Sequence, residues 1–152
     1  MNSDRATGFV AGCIFTLGLS VILRAPPPPP KARYLGLPNI RAASAVVHGH
    51  TVYLSGQVGE ISLLESSDTA EQTRQTLQKI EKLLADAGTS KDHILDTQIW
   101  VRDMKEDFAA MNEVWYDWVG PESKRKGVRA CVESNMARPG IRVEIKVTAY
   151  IP

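Results

Sequence analysis

The sequence predicts an α+β domain in which the elements run β-β-α-β-α-β-β and form a mixed sheet with both helices on one face. Three observations lead there. Short runs rich in β-branched residues alternate apolar and polar positions, two longer stretches between them repeat apolar positions at helical spacing, and turn residues punctuate the joins.

Residues 45–47 (AVV) and 51–54 (TVYL) are β-rich and are joined by His48, Gly49 and His50, a short connection that reads as a hairpin turn. Between Ser66 and Gly88, the positions Ala70, Thr73, Leu77, Ile80, Leu84 and Ala87 recur at helical steps. Ser66, Ser67 or Asp68 can cap this amphipathic helix and Gly88 can stop it. Leu95, Thr97, Ile99 and Val101 then alternate with Asp96, Gln98, Trp100 and Arg102 as a strand, and Phe108, Met111, Trp115 and Trp118 restore helical spacing. Val128–Glu133 and Arg142–Tyr150 close the chain as two further alternating strands. Residues 135–140, with Pro139 and Gly140, separate them, and the pair reads as a hairpin. Crossover connections of this kind leave one sheet face bare, and oligomerisation would cover it.

The chain has 152 residues, 43% hydrophobic and 23% charged, which fits one ordinary globular domain with an appendage. Without residues 1–30, which hold Asp4, Arg5 and Arg24, 16 basic and 16 acidic residues remain. A neutral domain lacks the field that sequence-independent phosphate binding needs, so a small molecule is the expected partner and nucleic acid is not. Cys13 and Cys131 are too few for a disulfide scaffold.

The appendage divides the chain. From Ala6 to Leu23 no residue is charged, and Arg5 and Arg24 bracket this 18-residue apolar stretch, just long enough to span a thin bilayer as a helix. No clear small-x-small cleavage site precedes Arg24, and Asp4 stands beside Arg5, so residues 1–24 are expected to be an uncleaved, single-pass membrane anchor. A cleaved signal peptide and a mitochondrial or plastid targeting segment are the alternatives. Pro26–Pro30 should extend as polyproline II. Residues 25–39 are therefore read as a stiff proline-rich linker and residues 40–152 as the domain.

Arg129, Cys131 and Glu133 share one face of their strand, with Val128, Ala130 and Val132 on the other. If the apolar set packs under the helices, Arg129 points away from them. A planar guanidinium can grip a carboxylate with two parallel hydrogen bonds, so Arg129 can anchor a small organic acid; equally, it can form a salt bridge to Glu144 or Glu133. Glu144 lies on the polar side of the last strand with Arg142, Lys146 and Thr148, where it can hold a water or a proton or pair with a cation.

The wording of the chain then carries a resemblance. GVRACVE at 127–133, VEIKV at 143–147, LSGQ at 54–57 and DFAAMN at 107–112 resemble the signature segments of the RidA/YjgF reactive-intermediate deaminase family. The likeness covers roughly three quarters of the chain with matching order and spacing, which is more specific than any one motif. It implies a chorismate-mutase-like fold with the last strand inside the sheet, a homotrimer with clefts between subunits, and no metal or organic cofactor. It implies that Arg129 binds the substrate carboxylate, that the backbone near Cys131 helps hold it, and that Glu144 positions the attacking water. Ser55, Gly56 and Asn112 match family segments that edge the cleft. The implied reaction hydrolyses enamines and imines derived from amino acids, such as 2-aminoacrylate or 2-iminobutyrate, to 2-keto acids and ammonia. Many members carry a first-strand tyrosine where this chain has Ala42, and Arg41 to Ser44 (RAAS) look more like the YoaB-like branch. The alternative is a non-catalytic, small-acid-binding or chaperone-like trimer of the same fold. Ribonuclease activity, also attached to the family, gains no electrostatic support from a neutral domain.

Other features read as structural. His48 and His50 flank a turn glycine with no third ligand apparent, so no metal is expected. Cys131 has no histidine near it in sequence and reads as a small strand thiol. Trp115 and Trp118 fall on the apolar helix stripe and read as core.

Overall fold

A computed structural model describes residues 28–36, 41–120 and 127–152. Strands β1 (Arg33–Leu35), β2 (Ala45–His48), β3 (Thr51–Leu54) and β4 (Gln57–Val58) precede helix α1 (Thr69–Ala87). Strand β5 (Ile94–Val101), helix α2 (Met104–Val119), β6 (Val128–Glu133) and β7 (Val143–Tyr150) follow. The sheet order is β1-β2-β3-β7-β5-β6, with β4 also pairing to β7. The class is α+β, with a mixed sheet and two long helices, as the sequence predicts.

The last two strands do not form a hairpin. β7 enters between β3 and β5, antiparallel to both, whereas β6 lies outside β5 and runs parallel to it after the α2 crossover. A central place suits β7 because Val143, Ile145, Val147 and Ala149 are all 0% exposed, and a strand paired on both edges leaves no open row of backbone donors and acceptors. The resemblance points to this placement; the period-two reading alone gives the hairpin.

Two short strands are added to the predicted order. β1 comes from the stretch read as linker and pairs antiparallel with β2, and Arg33 gives N–H groups to the carbonyls of Asp86 (3.5 Å) and Ala87 (2.8 Å) at the end of α1. A cation at a helix C-terminus satisfies carbonyls that have no partner in the helix. β5 also departs from strict alternation. Its register with β7 shifts between Ile94 and Asp96, which turns Ile94 inward at 8% exposure and leaves Leu95 46% exposed.

No helix among the described residues is long and apolar enough to cross a membrane. This corrects the expectation of a membrane-anchored chain and of its localisation. The stretch 6–23 that carried that expectation lies outside the described residues, as do Pro26 and Pro27 of the proline run.

The helix ends follow from their caps. Asp68 accepts from the backbone N–H of Glu71 at 2.8 Å to open α1, and Gly88 closes it. Asp103 accepts from Lys105 and Glu106 to open α2, and those N–H groups, Glu106 first, hold its carboxyl below the usual carboxylate range.

A buried polar knot fixes the two helix starts against the start of β7. Gln72, 0% exposed, gives its amide N–H groups to the carbonyls of Leu64, Ser67 and Gly140 and accepts from the Arg142 N–H at 2.9 Å. Asp107, also 0% exposed, accepts from the Thr69 hydroxyl, the Arg142 guanidinium (3.1 Å) and the Asp103 N–H (3.1 Å). Among the described residues no buried side-chain polar atom lacks a partner. Replacing Gln72 by leucine keeps the bulk but orphans several buried backbone groups, each worth about 1–3 kcal/mol. Gln72→Leu is therefore expected to lower unfolding stability by about 3 kcal/mol in urea titrations; a midpoint equal to wild type would contradict the knot's role.

Candidate functional site

β6 runs in register with β5, so Arg129 neighbours Thr97, Cys131 neighbours Ile99 and Glu133 neighbours Val101. Those three β5 residues are 0–1% exposed under the helices, and parallel neighbours point the same way. Arg129, Cys131 and Glu133 therefore face α2, the reverse of the sequence expectation. Val128 and Val132 take the bare face, at 70% and 44% exposure. Alternation identifies the residues that share a face; the pairing partner decides which face it is.

Arg129 donates to Asn112 Oδ1 at 2.8 Å, and its guanidinium carbon stands 5.5 Å from the centre of the Trp115 ring. Asn112 and Trp115 are three apart on α2 and so present one helical edge to β6. Neither of the expected salt bridges forms: among the described residues no ion pair involves Arg129, Glu133 or Glu144. Glu133 instead accepts from the Met104 N–H at 2.7 Å, at the start of α2. Arg129 is thus a half-buried cation oriented by a neutral oxygen and an aromatic face, with no acidic partner among the described residues.

Cys131 is half-buried against the core, and burial pushes its thiol above the ordinary value while Arg129 pulls the other way. Its backbone matters more. The Ser134 N–H bonds inward to the Val101 carbonyl, so by alternation the backbone groups of Val132 and Ala130 also turn toward β5. Those of Arg129, Cys131 and Glu133 then lie on the outer edge of the sheet, beside the guanidinium.

Glu144 sits elsewhere. It neighbours Trp100 on β5 and Val58 on β4, on the sheet face opposite the helices. Its carboxylate lies flat on the β3–β4 junction, where a methyl group at Gly56 would overlap Oε1 and come within 2.9 Å of Cδ. Any side chain at this position would have to push the carboxylate aside. Ser55 supports the same junction: its N–H and hydroxyl bond to the Ser44 carbonyl, and Gln57 donates to that hydroxyl at 3.0 Å. The six expected site residues thus form two groups, Arg129, Cys131 and Asn112 on the helix side, and Glu144, Ser55 and Gly56 at the other.

A cavity of about 170 Å3 opens beside Arg129, between the base of β5 and the end of α2. Trp115, read from sequence as core, is 8% exposed and is core, yet with Trp118 it also walls this cavity. The cavity is not legible from spacing alone, because its other walls come from β5 and β6. The Asn112–Trp115 pair leaves a trace in the sequence, a polar residue on an otherwise apolar helix stripe.

Comparison with known proteins places the chain in a family of the same fold. The model of the endoribonuclease L-PSP family matches residues 39–151. The RutC family protein YoaB of Escherichia coli is 36% identical over 111 residues, covering 73% of this chain and 91% of that one. A protein of Acinetobacter baylyi called 3-aminoacrylate deaminase RutC is 29% identical over 134 residues, covering 86% of this chain and 97% of its own length. Among solved structures, a YjgF family member from Neisseria meningitidis superposes with a TM-score of 0.73 at 43% identity, over 80% of this chain and 96% of that one.

Two outcomes follow from the geometry. Gly56→Ala should displace the Glu144 carboxylate at a stability cost under about 1 kcal/mol, because the added methyl meets a flexible, half-buried side chain rather than backbone, read from a crystal structure and a melting curve of the variant; an unmoved carboxylate would refute the contact. In a Cys13→Ser background, Cys131 should alkylate more slowly than free cysteine at neutral pH. Its rate should still climb above the ordinary thiol pKa of about 8.5, since a raised pKa leaves less thiolate; a plateau below that pH would contradict the burial effect.

Proposed function

The chain belongs to the endoribonuclease L-PSP family, on its RidA/YjgF and YoaB-like side, and from that premise we propose that it hydrolyses enamine or imine intermediates of amino-acid chemistry to 2-keto acids and ammonia. The observation that carries the reading is Arg129: a half-buried guanidinium with no acidic partner among the described residues, held by Asn112 and Trp115 at an open strand edge. A carboxylate is the ligand such a group fits best. The deaminase named among the relatives acts on 3-aminoacrylate, an acid of the same class.

The reaction asks little of the protein. An enamine first takes a proton at carbon to become an iminium ion, the protonated imine; water adds to the C=N carbon and gives up a proton, the nitrogen takes a proton, and ammonia leaves as the hydroxyl loses its proton and the C=O forms. Because the imine carbon is already electrophilic, holding the carboxylate and orienting one water is sufficient catalysis. Arg129 and the outward N–H of Cys131 hold the acid; Glu144 orients the water and takes up its proton. The neutral charge of the domain gives no comparable support to RNA cleavage.

Arg129 and Glu144 point from opposite faces of one sheet, so a single protomer cannot bring both to one small substrate. The reading therefore includes an assembly, a homotrimer by family resemblance, in which the Glu144 of one copy meets the Arg129 of another. The bare face supports it, since Tyr53, Val128 and Val132 are 47%, 70% and 44% exposed there.

The test measures keto-acid release from freshly generated 2-aminoacrylate and 2-iminobutyrate, with spontaneous hydrolysis subtracted. Arg129→Ala and Glu144→Ala are each expected to lose activity by about 100-fold or more. Mixing the two inactive variants under subunit exchange should restore part of it, because some clefts regain both groups. Binding of keto acids without any acceleration would favour the non-catalytic binding module.

A further inference from the structure

The cavity beside Arg129 is larger and more apolar than a three- or four-carbon acid requires. We propose that it receives the substrate's side chain, so that the acids taken by this chain carry a branched or aromatic group; the inference rests on the carboxylate-anchoring reading of Arg129.

The volume is about 170 Å3, and a cavity of roughly 150 Å3 lined by apolar side chains is enough to hold benzene. Ile94 and Thr97, at 8% and 1% exposure, form its base, and Trp115, Trp118 and Val119 form its walls. The two indole rings stand 5.3 Å apart, tilted by 50°, and aromatic groups favour such edge-to-face and offset contacts.

The walls are fixed before any ligand arrives. Arg129 stacks over Trp115, and the Trp118 indole N–H donates to Glu81 at 2.8 Å. Lys91 lies 5.4 Å over the Trp118 ring and donates to the Trp118 carbonyl at 2.6 Å. Such preorganisation removes part of the ordering cost of binding.

The charges limit the ligand to one carboxylate. Lys91, at the cavity rim, stands 3.8 Å from Glu81 and is further committed to Trp118. Arg129 is the one lining cation, among the described residues, without an acidic partner. A molecule with a carboxylate at Arg129 and an apolar group toward the indoles satisfies both ends; a dicarboxylate leaves its second charge against tryptophan.

The keto-acid products are stable and carry the same carboxylate and side chain, so they test the cavity without turnover. The full chain is titrated calorimetrically with phenylpyruvate, 4-methyl-2-oxopentanoate and pyruvate. The two larger acids should bind at least about 10-fold more tightly than pyruvate, the lower bound for extra apolar groups in a fitted pocket. Val119→Phe, which fills the cavity, should bring phenylpyruvate down to the affinity of pyruvate. Trp118→Ala, which removes a wall, should weaken phenylpyruvate by about 10-fold, and covers the case in which the larger residue disturbs folding. Equal affinities for the three acids, or an advantage of the larger acids that survives both variants, would overturn the proposal. Absence of imine hydrolysis with any side chain would overturn the deaminase reading instead, and the order of keto-acid affinities would still decide the cavity.

Discussion

The pairing of β7 on both of its edges is the constraint from which the rest of the structure follows. Its inward side chains are wholly buried, and its ladders to β3 and β5 fix where every other strand lies. Register with β5 sets Glu144 beside Trp100 on the bare face. Register of β5 with β6 then sets Arg129 beside Thr97 under α2. The knot of Gln72, Asp107 and Arg142 holds the residue that leads into β7 to the starts of both helices, so a slip of one residue would break buried hydrogen bonds as well as invert the faces. The candidate site inherits its geometry from this register rather than from any local turn.

The same constraint explains which parts of the fold are legible in the sequence. Both helices are, because their caps and apolar stripes are local: Asp68 and Gly88 bound α1 within the expected interval. Strand periods are legible too. Neighbours are not, since an alternating strand is equally consistent with a hairpin and with insertion between two others, and the family resemblance supplies what periodicity lacks. The facing of β6 fails for a related reason. Both of its sides have something to bury, valines on the bare face and the stem of Arg129 under α2, so apolarity does not choose between them. The bulge at Leu95 is invisible because Ile94 and Leu95 are equally apolar.

Two arginines show how geometry separates structure from function. Arg142 spends its charge on the buried carboxylate of Asp107 and ties elements together. Arg129 is oriented by the amide oxygen of Asn112, which directs the guanidinium without neutralising it. A neutral orienting group keeps the cation available to an incoming anion, and partial burial strengthens that attraction relative to open water. The raised pKa of Cys131 acts in the same direction, because a protonated thiol beside the guanidinium does not compete as an anion. Sequence motifs select Arg129; only the fold shows that no acid among the described residues pairs with it.

The sheet also separates the two halves of the proposed chemistry. On one side lies the half-buried Arg129 guanidinium with an apolar cavity next to it; on the other lies the Glu144 carboxylate seated against Gly56, in no ion pair among the described residues. Had Arg129 and Glu144 faced each other within one chain, they would have neutralised one another as the salt bridge that spacing allows, and neither would have served a substrate. In the proposed assembly, keeping them on opposite faces preserves both charges for a cleft between copies, where the substrate's carboxylate and the attacking water would stand between them. Under that reading, the apolar residues of the bare face do more than solubility would require, because the contact that hides them is also the contact that completes the site.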